Sequence, residues 1–181
     1  IVVVLPFLGT VLGAASALFL GKKSASKMQN TLLGFASGVM VAAAVWSLLI
    51  PSIAASENIG NMAWMPAAIG FLIGIAFMLL LDALTPHLHM NSSEPEGVPS
   101  SLGKSTMLML AVTLHNIPEG IITYITSSQN LKLGIHLAIA IALHNIPEGI
   151  SISVPIYYST KNKKKAFTYT ILSGMSEPLG A

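Results

Sequence analysis

The 181-residue chain has no cysteine and no arginine, and only 9% of its residues are charged. Without cysteine there is no disulfide framework, no thiolate metal site and no cysteine nucleophile. Without arginine, the residue that most often grips phosphates and guanine, a nucleic-acid reader is excluded as a reading. Soluble domains carry about 25% charged residues, so this chain cannot cover a soluble surface. At 53% hydrophobic it has too much apolar surface for a disordered chain. The net charge of +2 is too small to indicate a partner. An integral membrane protein is what remains, in keeping with a mean hydropathy of +0.73.

A helix needs about 20 mostly apolar residues to cross the hydrocarbon core. Six segments qualify and predict an all-α, polytopic transmembrane bundle: 1–20, 31–50, 62–84, 105–126, 133–157 and 166–181. They are treated as one transmembrane domain spanning 1–181. The first lacks the charged n-region of a signal peptide. The sixth ends in mid-run at Pro178-Leu179-Gly180-Ala181, so a fragment of a longer chain is expected. A β-barrel is excluded because the segments are continuously apolar rather than alternating. Placing the N-terminus outside puts Lys22, Lys23, Lys27, Lys104, Lys161, Lys163, Lys164 and Lys165 on inner loops and leaves only Lys132 outside. Positive charge stays cytoplasmic during insertion, which predicts the N-outside orientation.

The first three segments read as scaffold. Gly9 and Gly13, Gly34 and Gly38, and Gly70 and Gly74 each form a small-xxx-small pair suited to close helix approach. Loop 85–104 holds three prolines, two glycines and four serines and reads as irregular. His87 and His89 stand at its start, a weak metal signal beside the plainer reading of a solvated loop.

The chemistry is carried by a repeat. Leu114-His115-Asn116-Ile117-Pro118-Glu119-Gly120-Ile121 recurs unchanged as Leu143-His144-Asn145-Ile146-Pro147-Glu148-Gly149-Ile150, 29 residues later. The two copies fall in consecutive segments that run in opposite directions, a local pseudo-twofold arrangement. On a helix His115 and Glu119 share a face, with Asn116 beside Glu119. Pro118 lacks an amide hydrogen and frees the carbonyl of Leu114, which then needs another partner. His144, Asn145, Pro147 and Glu148 repeat every feature. The sixth segment adds Glu177 next to Pro178. Each membrane glutamate costs about 2.5–3.5 kcal/mol on the scale for a mid-depth charge.

Three readings compete for these residues: ligands for a metal, a proton relay without metal, and neutral hydrogen-bonded pairs that set helix register. Duplication and proline adjacency favour metal ligation. Imidazole with carboxylate suits Zn²⁺, Fe²⁺ or Mn²⁺, and the missing thiolates argue against Cu⁺. Two facing copies offer more ligands than one tetrahedral ion needs, and glutamates bridging two ions would use them.

Two His-Asn-x-Pro-Glu-Gly motifs on consecutive spans, followed by Ser-Gly-x-x-Glu-Pro-x-Gly-Ala, closely resemble the ZIP family of divalent metal-ion transporters. Asp82 to His89 is similar to the end of that family's third span and its histidine-bearing loop, and 34–51 to its second span. The resemblance implies eight helices in a 3+2+3 inverted-repeat arrangement, of which six are present here, with inward transport of Zn²⁺, Fe²⁺, Mn²⁺ or Cd²⁺. It also implies a two-metal centre on the fourth and fifth spans. The first ion would use His115, Glu119, His144 and Glu148; the second would use Asn116, Asn145 and Glu177, sharing Glu119 and Glu148. Met40 corresponds to a second-span position near the first ion, and His87 and His89 to an exit.

The expected protein is therefore a plasma-membrane (inner-membrane) transporter, not an enzyme. Its partners would be divalent ions, the lipid bilayer and, as a homodimer, a second copy. The rivals are an intramembrane metalloenzyme, weakened by the absence of His-Glu-x-x-His, and a proton-conducting protein without metal.

Overall fold

The computed structural model describes residues 2–17, 19, 22–85 and 104–181, and among these all regular structure is helical. A 3₁₀ turn at Val2–Val4 leads into α1 (Leu5–Ala17). Helix α2 (Lys22–Ala43) continues through a π-helical stretch, Ala44–Leu49, into α3 (Ile50–Ala55). Pro51 explains the π stretch. It has no amide hydrogen for the carbonyl four residues back, and the ladder shifts to wider bonds, as in Ile50 N–H to the Val45 carbonyl. A 3₁₀ segment, Glu57–Met62, turns at Gly60 (φ 65°) and leads to α4 (Met65–Leu84). Then come α5 (Lys104–Gln129), α6 (Leu131–Thr160), α7 (Lys163–Gly174) and α8 (Ser176–Gly180).

Among the described residues, three stretches are long and apolar enough to cross a membrane: Thr31–Ala55, Met65–Leu84 and Leu131–Thr160. Large apolar side chains on α4 face outward, among them Leu72, Ile73, Phe77, Leu80 and Leu84. Such a surface is stable only in lipid or against another protein, and the protein is an integral membrane protein.

The helices differ from the expected segments in four ways. The first, α1, covers only Leu5–Ala17 of the expected 1–20, shorter than the roughly 20 residues a span needs. The second begins at Lys22 and runs to Ala55, beyond both ends of 31–50, because helices continue past the hydrocarbon edge that hydropathy detects. Helices α5 and α6 are longer than 105–126 and 133–157, and one residue, Asn130, separates them. The stretch 166–181 is broken at Met175, where α7 gives way to α8.

Helix α6 is the centre of the bundle. Of its most apolar window 56% is buried, against 6% for α4. It contributes Leu137 and Ile141 to one core cluster, Ile150 and Val154 to a second, and Ile152 and Ile156 to a third. Asn130 caps its start, its side chain accepting from Leu133 N–H at 3.1 Å. Gly134 lies directly on Ser127, so α5 and α6 form a tight antiparallel hairpin.

Helix α1 lies along α6 through two glycines. Gly9 faces the backbone of Ala142, and Gly13 faces that of Ile146 and Gly149. This pair packs as expected. The other two pairs do not. Among the described residues nothing lies within 4 Å of where a side chain would begin at Gly34, Gly38, Gly70 or Gly74. Spacing marks a face that could be approached closely, but a neighbour must be there to approach it.

Candidate metal centre

Antiparallel pairing of α5 and α6 brings the two copies of the octet face to face. Within each copy the i, i+4 spacing sets histidine beside glutamate: His115 Nε2 is 3.6 Å from Glu119 Oε1, and His144 Nε2 is 3.5 Å from Glu148 Oε2. Across the pair, His144 Nε2 is 4.0 Å from Glu119 Oε1. Ligand atoms of His115, Glu119 and His144 all lie within 4.8 Å of one another. Glu119 and Glu148 are buried, while His115 is more open. Both helices run unbroken through Pro118 and Pro147.

Asn116 and Asn145 are fully buried. The Asn145 amide donates to the Pro6 carbonyl of α1 at 3.2 Å and to Glu177 Oε1 of α8 at 2.5 Å. Glu177, fully buried as well, is thereby tied to the same helix face. Six of the sequence-predicted residues thus fall into two groups, His115, Glu119, His144 and Glu148, and the Asn145–Glu177 pair, while Asn116 is buried with both its amide atoms unpaired. Met40 packs on the cluster of Ala43, Leu137 and Ile141, one turn before His144 on α6. His87 and His89 lie outside the described residues.

The octet's glycines have a role of their own. Gly120 is covered by the backbone of Glu177, and Gly149 by that of Thr10 at 2.5 Å from where its Cβ would stand. Each copy therefore receives a further helix one residue after its glutamate: α8 on α5, and α1 on α6. Gly180 repeats the device against Ile117. Serine and threonine hydroxyls complete the seam, with Thr113 Oγ1 and Ser173 Oγ 2.8 Å apart and Ser176 Oγ donating to the Ser173 carbonyl at 2.7 Å.

Buried polar atoms without hydrogen-bond partners gather in this region. Among the described residues they are both side-chain atoms of Asn116, both carboxylate oxygens of Glu119 and of Glu148, His144 Nδ1, Asn145 Oδ1, Glu177 Oε2 and Thr10 Oγ1. Each such atom costs about 1–3 kcal/mol, and most buried polar atoms in proteins are paired. Eight of the ten are able to accept or coordinate through oxygen. A divalent cation can satisfy several carboxylates together, and imidazole with carboxylate suits Zn²⁺.

Sequence reasoning missed Thr10 and the Pro6 carbonyl. Thr10 is completely buried, with its side chain against Gly174. No local pattern announces either, because both contacts depend on α1 crossing α6. It also missed a cleft of about 820 Å³ between α4, α5 and α6. The cleft is walled by Phe71, Ile75, Met78, Ala111 and Val112, with His115, His144, Glu148, Asp82 and Thr85 as its polar lining.

Comparison with known proteins bears on the family of the chain. The family described as ZIP Zinc transporter matches residues 89–181. The chain is 38% identical to the "Zinc transporter ZupT" of Chlorobaculum parvum, the match covering 96% of this chain and 68% of that protein. It is also 38% identical to the ZupT of Salmonella paratyphi A and 37% identical to that of Shigella dysenteriae serotype 1, in each case over 96% of this chain and 66% of the relative. The chain thus spans about two thirds of the length of these relatives. They are named as transporters, and with them the metalloenzyme reading falls. The paired octets and the match over nearly the whole chain lead to one conclusion: this protein belongs to the ZIP family of zinc transporters.

Proposed function

We propose that the protein moves a divalent transition-metal ion, Zn²⁺ first among them, into the cytoplasm through a two-metal centre between α5 and α6. The observation that carries this reading is the set of unpaired buried donors where the two octets meet. His115, Glu119, His144 and Glu148 hold the first ion. Asn116, Asn145 and Glu177 hold the second, with Glu119 and Glu148 shared. An asparagine ligates through its oxygen, and Asn145 Oδ1 has no hydrogen-bond partner. The cleft beside α4 gives the first ion access to its ligands. The ion enters from outside and leaves past His87 and His89 as one block of helices shifts against another. In this reading the chain contributes six spans of an eight-helix, 3+2+3 arrangement. Zn²⁺ uptake into proteoliposomes tests the function: proton flux without Zn²⁺ uptake would favour the relay reading instead.

The two ions are separable. Asn116→Ala, Asn145→Ala and Glu177→Ala should each weaken the second ion and leave the first held by its histidines. An anomalous-scattering map of Cd²⁺-loaded crystals should show one peak instead of two. Loss of both peaks in Glu177→Ala would contradict the assignment.

The orientation rests on lysines, which hold a loop in the cytoplasm during insertion. Single cysteines can be introduced cleanly, because the chain has none. A cysteine at Ser93 or Asn162 should resist a membrane-impermeant thiol reagent in intact cells, and one at Ser56 or Ser128 should react. Equal labelling of Ser93→Cys and Ser128→Cys from outside would reverse the orientation and the direction of transport.

A further inference from the structure

We propose that the corner between α6 and α7 is a docking surface for the headgroups of anionic phospholipid. Lys161, Lys163, Lys164 and Lys165 crowd five consecutive positions there, all of them exposed. Between Glu148 and Glu177 the sequence has no acidic residue. No carboxylate among the described residues pairs with Lys164 or Lys165.

The corner is shaped as well as charged. Tyr157 and Tyr158 stand one turn earlier, their rings 5.4 Å apart and tilted by 53°, and tyrosines favour the level of lipid headgroups. The Lys161 ammonium lies over the Tyr158 ring, 5.4 Å from its centroid. Lys161 is also the one non-glycine residue with positive φ among the described residues, at φ 54° and ψ 20°. That left-handed position after a helix is ordinarily glycine or asparagine. A lysine here is a poor choice for the backbone, and its charge is the feature a glycine or asparagine would lack. Asn162 caps α7, accepting from Lys165 N–H at 3.0 Å, which holds the following lysines in one fixed turn at the end of a membrane-spanning helix. A basic cluster at such a site attracts anionic lipid, each lysine contributing roughly fivefold in affinity.

The test titrates the detergent-solubilised full chain with short-chain phosphatidylglycerol. Phosphatidylcholine and inorganic phosphate are separate arms, and the readout is the thermal unfolding midpoint. Phosphatidylglycerol should raise the midpoint, phosphatidylcholine and phosphate should not, and salt should weaken the effect. Lys161→Asn, which suits the left-handed backbone, should keep or raise the lipid-free midpoint while weakening lipid binding about fivefold; Lys164→Gln with Lys165→Gln should weaken it about 25-fold. Zn²⁺ affinity should stay at the wild-type value in all of these, which separates this proposal from the metal site. Equal responses to the two lipids, an equal response to phosphate, or unchanged lipid binding in the variants would overturn it.

Discussion

Glu119→Gln and Glu148→Gln should each abolish high-affinity Zn²⁺ binding while leaving the metal-free protein as stable as wild type or more so. Both carboxylates are buried, and none of their oxygens has a hydrogen-bond partner. Imidazoles stand 3.5–4.0 Å away, and Glu119 also neighbours the carboxyl groups of Glu148 and Glu177. Glutamine keeps the volume and removes the charge, so it relieves the metal-free site of an uncompensated carboxylate. With metal bound the sign reverses. Removing one partner of a buried charge pair costs about 3–5 kcal/mol, on the order of a hundred- to several-thousandfold in affinity. Isothermal titration with Zn²⁺ or Cd²⁺ measures the loss. The thermal midpoint supplies a second reading: saturating metal should raise it in wild type and not in either variant. Wild-type affinity in Glu119→Gln or Glu148→Gln would sink the bridging role of these residues.

The second large effect is steric. A methyl group at Gly9 meets the Ala142 carbonyl, at Gly13 the Ile146 carbonyl, and at Gly120 the Glu177 carbonyl, with the Glu177 Cα at 3.1 Å. All of these obstacles are backbone, so no rotamer change relieves them. Gly9→Ala and Gly13→Ala should force α1 off α6 and destabilise the protein by about 1–3 kcal/mol each, the usual range for overpacking. Gly120→Ala should push α8 away from α5 and take Glu177 with it, weakening the second ion as well as the fold. Gly34→Ala and Gly70→Ala serve as controls. Their positions are open among the described residues, and alanine favours a helix interior over glycine by about 0.5–1 kcal/mol, so both should be neutral or stabilising. Thermal unfolding in detergent compares the set. Equal midpoints for Gly9→Ala and Gly34→Ala would mean that α1 does not pack on α6 as described.

The sequence by itself determined whatever depends on near neighbours. Scarcity of charge and long apolar runs marked a membrane protein of helices. The spacing of His115 to Glu119 and of His144 to Glu148 put donors on one face of each helix, and the short link around Asn130 made those helices antiparallel. Such features follow from helix period and hydropathy, which are local. Only the tertiary structure decided which glycine pairs have a partner: Gly9 and Gly13 meet α6, whereas Gly34, Gly38, Gly70 and Gly74 face open space among the described residues. It also decided that the helix breaks at Met175, that Glu177 reaches Asn145, and that Asn145 reaches Pro6. The last contact joins residues 139 positions apart. Whether such groups meet depends on how α1, α6 and α8 cross, and a crossing is a property of two packed surfaces that neither helix encodes alone.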